Sequence, residues 1–256
     1  MYKQQIILFG ILSILFIQAC SPPDSKKEAS NLRKPFEEGL LQFEKGKYYR
    51  AQEEFEFVLR RGAYTEFADS AQFYLAESYF FNKEYVQAIT EYDNLVRYKT
   101  YSPFVELSRF RICQAYEKKS PKYYLDQDYT VNAIERYQEF IEDFPESEHV
   151  EEANEAIKKL RNKQARKEYE SGILYIKLEE YKAALTYFDD VVVTYFDTDY
   201  TDKARVKVIE MYIRLGMIDT AQDFLMDHHD RFKSGNLLVE AEKLIESATV
   251  EGKVEP

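Results

Sequence analysis

Five alanines set the frame of this sequence. Ala51, Ala88, Ala133 and Ala184 are each followed four residues later by an aromatic ring: Phe55, Tyr92, Tyr137 and Phe188. Seven residues after the same alanines stand Val58, Leu95, Phe140 and Val191. Offsets of four and seven return to one face of an α-helix. Earlier in three of the copies comes a small residue (Gly39, Ala76, Gly172), then Phe43, Tyr79 and Tyr175, then Tyr48, Tyr85 and Tyr181. In the third copy, Cys113 and Tyr116 fit the small and aromatic positions of a displaced first helix, and Pro145 follows the second. Ala221, with Tyr212, Gly216 and Leu225, forms a degenerate terminal copy. Small residues let two helices approach closely while rings fill the remaining space. With 8 Gly, 7 Pro and no Trp against 22 Tyr and 18 Phe, the chain reads as all-helical and packed by aromatics.

The pattern resembles the tetratricopeptide repeat, a helix-turn-helix unit. The anchoring alanines lie 37, 45, 51 and 37 residues apart, against about 34 in a uniform array. The first excess falls in a loop at 118–129. The second falls in 148–165, which lacks Gly and Pro and keeps Val150, Ala153, Ala156, Ile157 and Leu160 at helical spacing. Seventeen extra residues amount to about 4.7 helical turns, which predicts one continuous helix from about Glu148 to Leu178. The expected architecture is all-α. About five repeats form a curved α-solenoid, with a long helix at the junction of repeats three and four.

The N-terminus reads as an address. Lys3 precedes an apolar run from Ile6 to Ile17, too short to span a bilayer but suited to a signal peptide. The run ends at Ile17-Gln18-Ala19-Cys20, which resembles a bacterial lipobox. That likeness implies cleavage after residue 19 and acylation of Cys20, with Ser21 favouring the outer membrane. An ordinary secretory signal with a chance cysteine is the alternative. Residues 20–33, polar and carrying Pro22 and Pro23, read as an acylated cysteine and flexible tether. The remaining expected divisions are 34–117 for the N-terminal repeats and the start of repeat three, 118–232 for the C-terminal repeats, and 233–256 for a last helix and tail.

A lipobox, five repeats and an elongated third-to-fourth junction together resemble the BamD family of the outer-membrane β-barrel assembly machinery. The closest stretch is Asp126-Gln127-Asp128-Tyr129-Thr130, then Ala133, then Phe140 through Phe144-Pro145-Glu146-Ser147-Glu148. Leu160-Arg161 through Glu168, with Tyr175, Tyr181 and Ala183-Ala184, continue the likeness. So does Val191 through Tyr195-Phe196-Asp197-Thr198, where Phe196 replaces the family's proline and a looser turn is expected. The resemblance covers roughly 34–232. It implies a scaffold at the periplasmic face of the outer membrane, with no enzymatic activity and no cofactor beyond the lipid on Cys20. Its C-terminal repeats dock the barrel-forming subunit BamA, and other assembly lipoproteins are further partners. Its N-terminal repeats receive the C-terminal segments of unfolded barrel proteins. Another periplasmic tetratricopeptide lipoprotein, acting as a scaffold in envelope or cell-wall biogenesis, is the alternative.

The residues themselves point away from catalysis. A net charge of −11 argues against a nucleic-acid partner. Asp227-His228-His229-Asp230 holds four metal-ligating side chains, but neighbours on a helix diverge by about 100°, so no metal site is expected. Asp189-Asp190 lies on the polar side of a repeat helix, between Phe188 and Val191. No phosphate loop, nucleophile elbow or Cys–His pair occurs. Cys113 reads as a buried packing thiol.

Two sets of residues remain as candidate binding sites. Lys158, Lys159, Arg161, Lys163, Arg166 and Lys167 form a basic run on an otherwise acidic chain. Lys159, Lys163 and Arg166 share a helix face as a partner-docking candidate, with a solvated face or a lipid-headgroup contact as alternatives. In tetratricopeptide folds the first helix of each repeat lines a groove. The matching positions here are Phe36, Leu40, Phe43, Phe73, Phe80, Phe81, Leu107 and Phe110. Such a row suits an extended segment that offers a ring at every second position. A tether or neighbouring helix packed over the rings is the competing reading.

Overall fold

A computed structural model of the chain describes residues 25–251. Among these residues it contains eleven α-helices, one 3-10 turn and no strand. In chain order they are α1 (Ser25–Glu44), α2 (Tyr48–Gly62), α3 (Ala68–Phe81), α4 (Tyr85–Tyr98), α5 (Val105–Lys119) and α6 (Asp128–Asp143). Then come α7 (Val150–Lys177), α8 (Tyr181–Thr194), α9 (Thr201–Arg214), α10 (Ile218–His228), the 3-10 turn His229–Arg231, and α11 (Gly235–Glu251). The chain divides into two compact units, 1–109 and 110–256.

The anchoring alanines explain the helix pairs. All five are fully buried, and so are Phe55, Tyr92 and Phe188, four residues after three of them. A Cβ added at Gly39 would lie 2.8 Å from the Phe55 ring, and one at Gly172 would lie 2.6 Å from the Phe188 ring. The small position of the first helix is therefore the seat of the ring on the second. Four of the five pairs turn in the same way. Five residues before the alanine, Gly46, Lys83, Glu179 and Gly216 adopt φ of 69°, 66°, 60° and 75°. The next residue donates its N–H back to the carbonyl of Gln42, Tyr79, Tyr175 or Tyr212. That reversal ends a helix by satisfying its last carbonyls through one left-handed residue.

In the first unit α1 to α3 close a core around Ala51, Phe55, Val58, Ala71 and Leu75. The helix at its start corrects the expected boundary at 33. Residues 25–33 belong to α1, which continues through Pro35. Leu32 is buried against Gly62, where an added Cβ would lie 2.2 Å from its Cδ1. Leu32, Phe36 and Leu40 recur every four residues, so the apolar stripe starts upstream of the proline that suggested a tether.

In the second unit the end of α5 packs with α6 and the start of α7 around Phe110, Cys113, Tyr137, Phe140 and Leu160. A second core joins α7, α8 and α9, and a third joins α9, α10 and α11. The long junction helix is α7, which runs 28 residues without a break. The turn at Phe196 is held firmly, not loosely. The Arg161 guanidinium forks onto both oxygens of Asp197 at 2.7–3.1 Å and reaches the Thr194 carbonyl. Thr198 and Thr201 donate to the Tyr195 carbonyl, and Asn162 Oδ1 accepts the Asp199 N–H.

Candidate functional site

The eight apolar residues assigned to a groove occupy three different environments. Phe73, Phe80 and Phe110 are 4%, 9% and 2% exposed, so they belong to the interior and not to an open trough. The Phe73 ring stacks on Phe104 at 4.5 Å. In the second unit, Phe110 stacks on His149 at 4.3 Å and touches Phe140. Phe36, Leu40 and Leu107 are half-buried, the first two against the α1–α3 core. Phe43 and Phe81 are brought together, with ring centroids 5.8 Å apart. Phe81 is 42% exposed.

Tyr48 completes this cluster. It stacks on Phe81 at 5.5 Å and meets Phe43 edge-on at the same distance. Phe43 also packs edge-on against Tyr74. Leu41 and Tyr49 are exposed nearby in sequence. Tyr48 occupies a packing position of the repeat, which is why counting groove positions overlooked it. Its signal was the left-handed turn at Gly46, which swings the start of α2 beside the end of α1.

The basic run on α7 is largely engaged inside the second unit. Lys159 bridges Glu117 at 2.9 Å, and Lys163 donates to Ser120 Oγ at 2.6 Å. The Arg166 guanidinium lies 4.1 Å from the centre of the Tyr123 ring and 3.9 Å from Glu170. Arg161 serves the Asp197 turn instead. Lys159 thus holds the end of α5, while Lys163 and Arg166 clasp the α5–α6 loop. Burial works against the charge on Glu117, but hydrogen bonds from Lys159 and Tyr137 hold its carboxyl below the usual range. Burial, and then Glu117, push the Tyr137 phenol well above its ordinary value. Lys163 is pulled down by burial and by the neighbouring Lys159 charge.

Gln127 folds that loop from within. Its buried side-chain amide donates to the Lys122 and Leu125 carbonyls, each at 2.9 Å, while its oxygen accepts from Thr130 at 2.7 Å. This accounts for glutamine in the Asp-Gln-Asp stretch. Between loop and helix lies a recess of about 470 Å³, lined by Lys122, Tyr123, Tyr124, Lys159, Asn162, Lys163, Arg166 and Tyr200. None of these described lining residues is acidic.

Both surfaces fall within one family match. Residues 28–225 fit the YfiO model, described as an outer membrane lipoprotein. The chain belongs to the YfiO family. Among its relatives, the outer membrane protein assembly factor BamD of Rickettsia prowazekii (strain Madrid E) is 26% identical over 211 residues, covering 78% of this chain and 81% of that protein. A putative outer membrane protein assembly factor BamD of Aquifex aeolicus (strain VF5) is 28% identical over 125 residues, 48% of this chain and 41% of that one. A solved tetratricopeptide protein from Thermus thermophilus aligns over 86% of this chain and 99% of its own, at 16% identity and a TM-score of 0.35. The YfiO match begins inside α1 and includes both the Phe43–Tyr48–Phe81 cluster and the recess on α7. Cys20 lies outside the described residues.

Proposed function

We propose that this YfiO-family protein is a scaffold of the outer-membrane β-barrel assembly machinery, anchored by an acylated Cys20 at the periplasmic face. It holds the barrel-forming subunit BamA through the second unit and receives C-terminal segments of unfolded barrel proteins on the first. Other assembly lipoproteins join as partners, and no cofactor or catalytic step is required.

The observation that carries this reading is the aromatic cluster of Phe43, Tyr48 and Phe81. Rings clustered together and left partly open offer a partner one contiguous apolar surface. A strand-forming segment with alternating aromatic side chains matches it, since one side of such a segment presents a ring at every second residue. Each ring buried contributes roughly 1.5–3 kcal/mol before the cost of ordering. A few such contacts give reversible capture, as handing a substrate onward requires. The names of the relatives, both assembly factors, support the same reading.

Affinity capture from detergent-solubilised membranes tests it. BamA is expected to co-purify with the wild-type chain, and Phe43→Ala with Phe81→Ala is expected to weaken binding of a barrel-protein C-terminal peptide about tenfold. A chain that recovers no BamA is instead a scaffold for another envelope process.

A further inference from the structure

We infer that the recess between α7 and the α5–α6 loop is a pocket for a carboxylate side chain with an aromatic or aliphatic neighbour, carried on an acidic segment of a protein partner. This rests on the docking reading above and gives that docking a specific chemistry.

Charge is the first argument. Four cations, Lys122, Lys159, Lys163 and Arg166, line one depression on a chain whose net charge is −11. Two acids pair with these cations among the described residues: Glu117 with Lys159, and Glu170, 3.9 Å from Arg166. The Lys163 side chain is half-buried, and its ammonium donates to a neutral hydroxyl rather than to a carboxylate. A partly desolvated cation gains most from an incoming anion, because the attraction between charges grows as water is excluded.

Preorganisation is the second argument. Gln127 pins the loop by its own carbonyls, fixing Lys122 and Tyr123 before any ligand arrives. The Tyr123 ring lies against the Arg166 guanidinium, whose terminal N–H groups can grip the oxygens of a carboxylate.

Shape and polarity identify the occupant. Tyr123, Tyr124 and Tyr200 contribute ring surface beside the cations, so a bare ion would leave those rings unmatched. A flat membrane surface is a poor fit as well, since Lys163 and Arg166 are engaged by Ser120 and Tyr123 of the loop within a recess. An acidic residue next to an aromatic or aliphatic one satisfies both halves of the site.

The full chain, purified in detergent, tests this by titration with a short peptide alternating glutamate and phenylalanine. The pocket predicts saturable binding, at least about tenfold weaker for the same peptide with glutamine for glutamate. Lys163→Met with Arg166→Met keeps the aliphatic stems and should cost a similar factor. Lys158→Met with Lys167→Met removes the same charge from the same helix outside the recess and should cost less than about twofold. Equal losses in the two double variants would reduce the effect to general electrostatics and overturn the pocket. Inorganic phosphate that competes at the peptide's own concentration, or vesicles of anionic phospholipid that bind as well as the peptide, would overturn it too. BamA capture on the same samples tests the docking reading separately. Protein that captures BamA yet ignores the peptide refutes the pocket alone, and protein that binds the peptide but recovers no BamA refutes the docking partner alone.

Discussion

Single side chains in this fold carry opposite constraints at neighbouring repeat positions. Gly172 is required small, because a Cβ there would meet two Phe188 ring atoms at 2.6 Å. Alanine gains about 1 kcal/mol of helix propensity, but overpacking of a filled core costs about 1–3 kcal/mol. Gly172→Ala is therefore expected to lower the midpoint of chemical denaturation despite the better helix former. Seven residues later the demand reverses. Glu179 holds φ at 60°, where a side chain is strained by about 1–2 kcal/mol, while Gly46 and Gly216 occupy the same step of their own repeats. Glu179→Gly should raise that midpoint. Phe73 supplies a third test. Buried against Phe104 and Tyr92, it should lose about 3–5 kcal/mol of stability on truncation to alanine, with peptide binding of the surviving folded protein unchanged. Weakened binding at intact stability would return this ring to the surface.

At the scale of elements, the sequence made the helices legible more readily than the depth of their side chains. The alanine frame located every helix pair, and the lack of Gly and Pro through 148–165 located the continuous α7. Each followed from local periodicity. Depth depends on what lies across the helix, and a single chain's pattern does not contain it. Phe73, Phe80 and Phe110 hold the same kind of repeat position as Phe43 and Phe81, yet Phe104 and His149 cover two of them. The basic run shows the same limit. Spacing placed Lys159, Lys163 and Arg166 on one face but did not reveal Glu117, Ser120 and Tyr123 waiting there. This changes what charge reversal should do. Replacing all three with Glu sets a carboxylate against Glu117 and releases the loop at 120–127, whereas reversing Lys158 and Lys167 leaves both in place. Limited proteolysis should cut that loop sooner in the triple variant than in the double one. Equal cleavage would mean that Gln127 alone holds the loop.

For the whole molecule the question is how an acidic, helical protein stays at a membrane. Among the described residues, no helix is long and apolar enough to cross a bilayer. A net charge of −11 also opposes attraction to anionic headgroups, whose surface draws basic segments. Lys159, Arg161, Lys163 and Arg166 are bonded within their own unit, which limits what the basic run offers such a surface. A covalent anchor and a hold through partners are both compatible with such a surface. Acyl chains contribute roughly 0.8 kcal/mol per buried methylene, and stable residence takes two membrane-binding signals rather than one. A cysteine carrying several chains meets that requirement without any help from the fold. Cys20→Ser should therefore leave both units folded, with an unchanged helical circular-dichroism spectrum, and move the protein into the soluble periplasmic fraction. The proposed docking to BamA would retain a share of it at the membrane, so the decisive comparison is made in cells depleted of BamA. There the serine variant should be wholly soluble while the wild-type chain stays membrane-bound. A serine variant that still sediments with membranes under BamA depletion would show that the protein is held by something other than lipid on Cys20.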